Sequence, residues 1–337
     1  MPELSVVLPC YNEAPVLDQL YDRLSSEANT WDLSYEVVIV DDGSEAETWE
    51  KLEDLHQRDD RWKLIRLSRN FGHQTAISAG LYYASGDAVA IMDADLQDPP
   101  EVVGRFIEKW REGYEVVYAI RRNRKEGIWK RLAYRTFYRA LARVSQPQIP
   151  IDSGDFCLMD RQVVDLINAM PEENRFVRGL RAWAGFRQTG VEYERQERAE
   201  GDPKYTLSKL VKLAIDGLFS FSTFPLRLAT YLGFAVSLIA FLGVVFTLGQ
   251  GLFPEWFAEF GLEPVPGYTT IVISILFLGG VQLLCLGIVG EYVGRVYDEV
   301  KKRPLWVVQE TVGEIGTSDA YDTNAIMEKM GYWPDET

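Results

Sequence analysis

The triplet Asp93-Ala94-Asp95 puts two carboxylates at i and i+2, directly after the apolar run at 88–92 (AVAIM). Where a strand opens into a loop, such a pair can converge on one hard divalent cation, Mg²⁺ or Mn²⁺. Coordination positions then stay open for diphosphate oxygens. With acids at 50 of 337 positions, about seven acid–x–acid triplets are expected by chance, so the place after a strand carries the signal rather than the spacing. An Asp-rich turn ending the strand is the competing reading. Two more polar clusters close apolar runs in the same way. They are Tyr11-Asn12-Glu13 after residues 4–9 (LSVVLP) and Asp41-Asp42-Gly43-Ser44 after residues 35–40 (YEVVIV). The chain has only 2 His and 3 Cys, which leaves no multi-histidine metal site, zinc spacing or disulfide framework. Carboxylates must carry any metal or acid–base chemistry. His73, just after Phe71-Gly72, reads as a polar packing residue rather than a catalyst.

The elements that must position these groups follow a β–α alternation. Short apolar runs at 4–9, 35–40, 62–67, 88–92 and 115–119 are separated by amphipathic stretches. This pattern predicts an α/β, Rossmann-like and mostly parallel sheet covered by helices. In open sheets of this kind ligands bind beyond the carboxyl ends of the strands, where all three polar clusters fall. No GxGxxG or GxxxxGK[ST] occurs, so neither a classical dinucleotide site nor a P-loop is supported.

Charge and hydropathy are distributed unevenly. The net charge of −15 argues against nucleic acid as a partner. Yet residues 121–143 carry +8 and the remainder −23. Within that segment Arg131, Arg135, Arg139 and Arg143 recur on one helical face. Two readings stay open: a solvated basic face, or an interface with anionic lipid or a phosphorylated lipid. Runs of 27 uncharged residues separate Arg227 from Glu255 and Glu263 from Glu291, each long enough to span a bilayer. Lys and Arg flank the pair while the connecting loop carries only Glu. The positive-inside rule therefore predicts an integral inner (plasma) membrane protein with both termini cytoplasmic. The organisation expected is a catalytic domain over 1–205, a juxtamembrane amphipathic helix over 206–225 and a two-helix hairpin over 226–297, with spans at 228–252 and 268–290. A cytoplasmic tail follows over 298–337, loosely packed after Glu310. Two short spans also predict association with copies of the same chain.

Taken together, Pro9-x-Tyr11-Asn12-Glu13, Asp41-Asp42-Gly43-Ser44, Ser68-Arg69-Asn70-Phe71-Gly72, Asp93-Ala94-Asp95-Leu96-Gln97-Asp98-Pro99-Pro100 and Gly154-Asp155-Phe156 resemble family 2 glycosyltransferases of the GT-A fold. The set is most similar to the branch acting on polyprenyl phosphates, which includes GtrB-type undecaprenyl-phosphate glucosyltransferases and dolichol-phosphate mannose synthases. The resemblance covers about residues 4–306. It implies nucleotide-sugar contacts at Pro9, Tyr11, Glu13, Val40, Asp42, Asp93, Ala94, Arg198 and Lys204, and a metal at Asp93, Asp95 and Gln97. It points to Asp155 as candidate base or acceptor-orienting group, with Asp152 nearby and Asp95 also catalytic. Arg121 matches a phosphate-contacting position. Charge adds Arg131, Arg135 and Arg139 as candidates to hold the acceptor phosphate at the membrane face. One departure is Cys157, where relatives usually carry Arg, which removes a cation beside Asp155.

The function these residues imply is inverting transfer of one sugar, glucose from UDP-glucose first, to undecaprenyl phosphate. GDP-mannose, UDP-galactose or UDP-GlcNAc are alternative donors. A processive polysaccharide synthase is disfavoured by the lack of QxxRW. A non-catalytic scaffold would not need Asp95 or Lys204.

Overall fold

The computed structural model describes residues 2–122, 153–172, 175–194, 224–259, 267–301 and 303–315. Two compact units are present, Met1–Tyr205 with Lys302–Thr337, and Thr206–Lys301.

The first unit is built on strands β1 (Leu4–Cys10), β2 (Tyr35–Asp41), β3 (Trp62–Leu67), β4 (Ala88–Ile91), β5 (Val116–Arg122), β6 (Ser153–Asp160), β7 (Gln188–Glu194) and β8 (Val308–Val312). Its helices are α1 (Leu17–Ala28), α2 (Ala46–Arg58), α3 (His73–Tyr83), α4 (Glu101–Arg111), α5 (Arg161–Ala169) and α6 (Val177–Ala184). The sheet order is β7-β5-β6-β4-β1-β2-β3-β8. Strands β4, β1, β2 and β3 form a parallel half, and β7 runs parallel to β5. β6 inserts antiparallel between β4 and β5.

The parallel strands are apolar on consecutive residues because both faces are covered. Leu4, Val6 and Leu8 enter the core beneath α1, α2 and α4. Val7, between them, enters the opposite core with α3, α5 and α6. Helix α3 rides so close to β1 that a Cβ on Gly80 would sit 2.2 Å from Val7 Cγ1. That approach seats the first residue of α3, His73, beyond the strand ends.

The five anticipated strands form within three residues of their expected bounds. β6, β7 and β8 have no comparable local signal. Ser153-Gly154-Asp155 and Gln188-Thr189-Gly190 open on residues that favour turns. β8 is an edge strand whose centre is solvated. It ends two residues past Glu310, and the tail expected to be loosely packed lies, after residue 315, outside the described residues. β8 pairs antiparallel with β3, and Trp306 is buried edge-on to Tyr82 with ring centroids 5.8 Å apart. The returning chain thereby closes the edge that β3 would otherwise leave open.

The second unit contains α7 (Phe224–Leu252), α8 (Pro254–Glu259) and α9 (Tyr268–Lys301). Cys285 Sγ lies 3.6 Å from the Ala229 carbonyl, so α7 and α9 pack together. Among the described residues one segment, Phe277–Lys301, is long and apolar enough to cross a membrane. α7 carries a shorter apolar stretch, Tyr231–Gly243. α7 and α9 cover the residues expected as spans, 228–252 and 268–290, with α9 running on to Lys301; of the two expected membrane-spanning helices, one passes the length and hydropathy test.

Candidate active site

Three of the sequence motifs are scaffolding for one another at the carboxyl ends of β1–β3. Asn12, at φ 55°, donates its N–H to Ser44 Oγ at 2.9 Å, and its side-chain oxygen accepts from Glu45 N–H at 2.9 Å. Asp42 is buried, and its two oxygens accept from the N–H groups of Phe71 (2.7 Å) and Gly72 (3.0 Å). Gly43 has φ 73°, and a Cβ there would stand 2.6 Å from the Arg69 carbonyl carbon, so only glycine fits. Both oxygens of Asp42, a candidate nucleotide contact, are thus engaged by the loop leading into His73. Burial raises its carboxyl above the ordinary value, with the two N–H donors opposing. Pro9 and Val40 are buried register partners in β1 and β2, while Tyr11 is exposed at the rim beside Glu13.

Beyond β4, Asp93 and Asp95 begin a loop pinned by Leu96. That leucine adopts φ 60°, a conformation unfavourable for a bulky residue. Its side chain is buried in the core with Ala94, which offsets the strain. Asp95 Oδ1 accepts from Gln97 N–H at 3.1 Å. Asp93 Oδ1 is buried without a hydrogen-bond donor; the nearest cation is His73 Nε2, 3.5 Å away. An orphaned buried carboxylate oxygen costs about 1–3 kcal/mol, which a bound cation would recover. Among the described residues no three His, Cys, Asp or Glu side chains form a ready-made cage. Asp93 and Asp95 alone would leave most of a hard cation's coordination positions to substrate oxygens and water.

Opposite this loop stands Asp155. β4 and β6 pair Ile91 with Cys157, and extending that antiparallel register by two residues sets Asp93 against Asp155. Asp155 Oδ2 accepts from Gln74 Nε2 (3.1 Å) and Arg178 Nη2 (3.2 Å), and His73 Nε2 is 3.8 Å away. Asp155 Oδ1, like Asp93 Oδ1, is buried without a donor. Burial would raise the Asp155 carboxyl, but the charges of Arg178 and His73 prevail and hold it far below the carboxylate range. His73 answers in kind. Desolvation works against its charge, yet Asp155, Asp93 and Asp42 raise it to about 9. Asp93 moves the other way, raised to about 6 by burial and by Asp98, Asp95 and Asp155, with His73 opposing. The centre is thus an imidazolium set between two carboxylates, one of them firmly ionised.

The sequence suggests a packing role for His73; the structure brings it to the centre. Gln74 carries no sequence signal, yet it bridges Asp155 to the N–H of Val177 (2.9 Å) and so joins α3, β6 and α6. Arg178 likewise reaches Asp155 without a motif to mark it. Its local signal is the Arg178/Arg181 pair at i, i+3, each arginine directly following a buried residue, Val177 or Leu180. Arg178 places a cation directly on Asp155. Cys157 itself is fully buried, and burial pushes its thiol up against the opposing pull of Arg181. Arg121 reaches the site from β5 and donates from Nε to Tyr193 Oη at 3.2 Å. Asp152, Arg131, Arg135, Arg139, Arg198 and Lys204 lie outside the described residues.

With this geometry in view, the sequence comparisons with known proteins agree on a family. The model described as glycosyl transferase family 2 matches residues 5–167. Over 312 residues the chain is 46% identical to an uncharacterized glycosyltransferase of Synechocystis sp., covering 92% of this chain and 96% of that protein. Over 310 residues it is 41% identical to an SfII prophage-derived bactoprenol glucosyl transferase of Shigella flexneri, covering 92% and 98%. A solved glucosyl-3-phosphoglycerate synthase from Mycobacterium tuberculosis, in complex with Mn²⁺, UDP and phosphoglyceric acid, shares 17% identity at a TM-score of 0.48, over 65% of this chain and 76% of that one. On the length and identity of the sequence matches, the chain belongs to the family 2 glycosyltransferases.

Proposed function

We propose that this glycosyltransferase moves one glucosyl residue from UDP-glucose to a polyprenyl phosphate, with inversion at the anomeric carbon. The observation that carries the reading is the pairing of Asp93, whose buried oxygen lacks a donor, with the ionised Asp155 across His73. The relative named as a bactoprenol glucosyl transferase, matched over nearly its whole length, supports the acceptor and the sugar. In the reaction a phosphate oxygen of the lipid forms a bond to the sugar's anomeric carbon. The bond from that carbon to the nucleoside diphosphate breaks, and the electron pair leaves with the diphosphate.

A lipid phosphate is largely ionised at neutral pH and needs little deprotonation. Asp155, paired with Arg178, is a poor proton acceptor. Its role is to fix the His73 and Arg178 cations where an anionic acceptor approaches acidic groups. Asp93 and Asp95, with Gln97 beside them, would hold Mg²⁺ or Mn²⁺, which when bound neutralises charge on the departing diphosphate. Arg198, Lys204 and Arg121 are assigned to donor or acceptor phosphates, Arg131, Arg135 and Arg139 to the acceptor at the lipid face. Exposed Phe234, Ile239 and Phe241 on α7, with Leu283 and Leu286 on α9, suit a bilayer hairpin with the catalytic unit on the cytoplasmic side.

The test offers labelled UDP- and GDP-sugars with undecaprenyl phosphate and Mn²⁺ to the wild type and to Asp95→Ala. Labelled lipid from UDP-glucose, lost in the variant, is the expected result. No labelled lipid from any donor, or full activity in Asp95→Ala, overturns the reading. A stronger signal from another sugar would reassign the donor alone.

A further inference from the structure

β5 and β7 pair with Arg121 directly opposite Tyr193. The Tyr193 hydroxyl donates its proton to Asp98 Oδ1 and accepts from Arg121 Nε. A phenol has one proton to give. Committing it to a carboxylate turns the oxygen's lone pairs toward the guanidinium. Tyr193 is 5% exposed, and its ring is fixed edge-on to Phe156 at 5.6 Å; Phe156 in turn packs on Phe106 at 4.8 Å. Asp98 is 1% exposed and lies three residues beyond Asp95. The space in which the guanidinium lies is kept by Gly154, where a Cβ would come within 3.3 Å of Arg121 Nη2.

We propose that Tyr193 is a positioning residue: its hydroxyl, oriented by Asp98, anchors Arg121 through Nε and directs the Nη groups at a substrate phosphate. The inference rests on the glycosyl-transfer reading above. It adds a link which that reading lacks, because Asp98 shares its loop with Asp93 and Asp95. The arginine that grips phosphate and the carboxylates that suit a cation are thereby held in one register. The phosphate belongs either to the nucleotide donor or to the lipid acceptor, and the chemistry of the grip is the same for both.

Tyr193→Phe keeps the ring and removes the relay. In the full chain in detergent, calorimetry would measure binding of UDP with Mg²⁺ in one arm and of a short-chain prenyl phosphate in the other. The variant should bind one of them about 5–10-fold more weakly while remaining folded at the assay temperature. In an Arg121→Lys background the same substitution should add less than about twofold, as expected for two residues acting through one contact. Asp98→Asn should weaken the same arm. Whichever arm responds assigns the phosphate. Unchanged affinity in both arms, or a full additional loss in the Arg121→Lys background, overturns the proposal. Binding requires no turnover, so a wild type that binds both ligands yet transfers no sugar defeats the glycosyl-transfer reading alone. A wild type that binds neither defeats both.

Discussion

Two buried acidic centres lie at opposite ends of the parallel strands. At the amino ends, Glu36 accepts from Ser5 Oγ (2.6 Å), Ser85 N–H (2.7 Å) and Ser85 Oγ (2.8 Å) on one oxygen, and from Lys63 Nζ (2.6 Å) on the other. At the carboxyl ends, Asp93 and Asp155 each keep one buried oxygen without a donor while sharing the cation His73. Both centres bury carboxylates beside basic side chains. In the first every oxygen is spent on joining β1, β2, β3 and the start of β4. In the second, capacity is held back at a cost in stability, which is what a site that must accept a ligand requires.

The sharpest way to break this contrast is Asp155→Asn. It should lower kcat for sugar transfer about 10²–10³-fold by releasing the cations it holds in place, measured with labelled donor and polyprenyl phosphate, while the protein stays folded. Near-normal turnover would demote the carboxyl-end cluster to a structural one.

Glu36→Gln tests the other side. It leaves Lys63 without its carboxylate and should cost about 1–3 kcal/mol of stability in urea unfolding, with transfer by the folded fraction unchanged. The same residue predicts a pH dependence. Burial alone would raise its carboxyl, but Lys63, Ser5 and Ser85 hold it below its ordinary value of 4.5. A depressed folded value gives stability that is full above about 4.5 and lost as pH falls through that folded value. The glutamine variant should flatten this part of the stability–pH curve, and an unchanged slope would mean that Glu36 is not the titrating group.

The smallest expected effect has the opposite sign. Asp93→Asn removes a buried carboxylate whose Oδ1 lacks a donor and which Asp95, Asp98 and Asp155 repel, and should raise the stability of metal-free protein by about 1 kcal/mol. Added Mn²⁺ at about 100 times its Kd should stabilise the wild type by about 2.7 kcal/mol and the variant much less. Equal stabilisation of both proteins would remove Asp93 from the metal site.

The two centres were not equally legible. The strands around Glu36 are short, predominantly apolar runs, because parallel strands buried on both faces need no alternation, and they could be located from pattern alone. The cluster around Asp155 could not. Asp155 came only through resemblance, since Gly154-Asp155 opens a strand with no periodic signal. His73 and Arg178 stand 82 and 23 residues from it in the chain and meet it only because β6 is inserted antiparallel beside β4. β8 was hidden for a related reason, as an edge strand needs one partner more than it needs an apolar face.

By itself the sequence determined the order of the β–α units, the polar clusters at strand ends, the two uncharged runs and the scarcity of histidine that leaves metal chemistry to carboxylates. These are local properties, set by which residues can be buried and which cannot. Tertiary structure decided which charges meet. It spent Asp42 on a loop, set Asp93 against Asp155 with His73 between them, and brought Arg178 onto Asp155. Electrostatic effects fall off over a few ångströms, and separation along the chain carries no information about distances of that size.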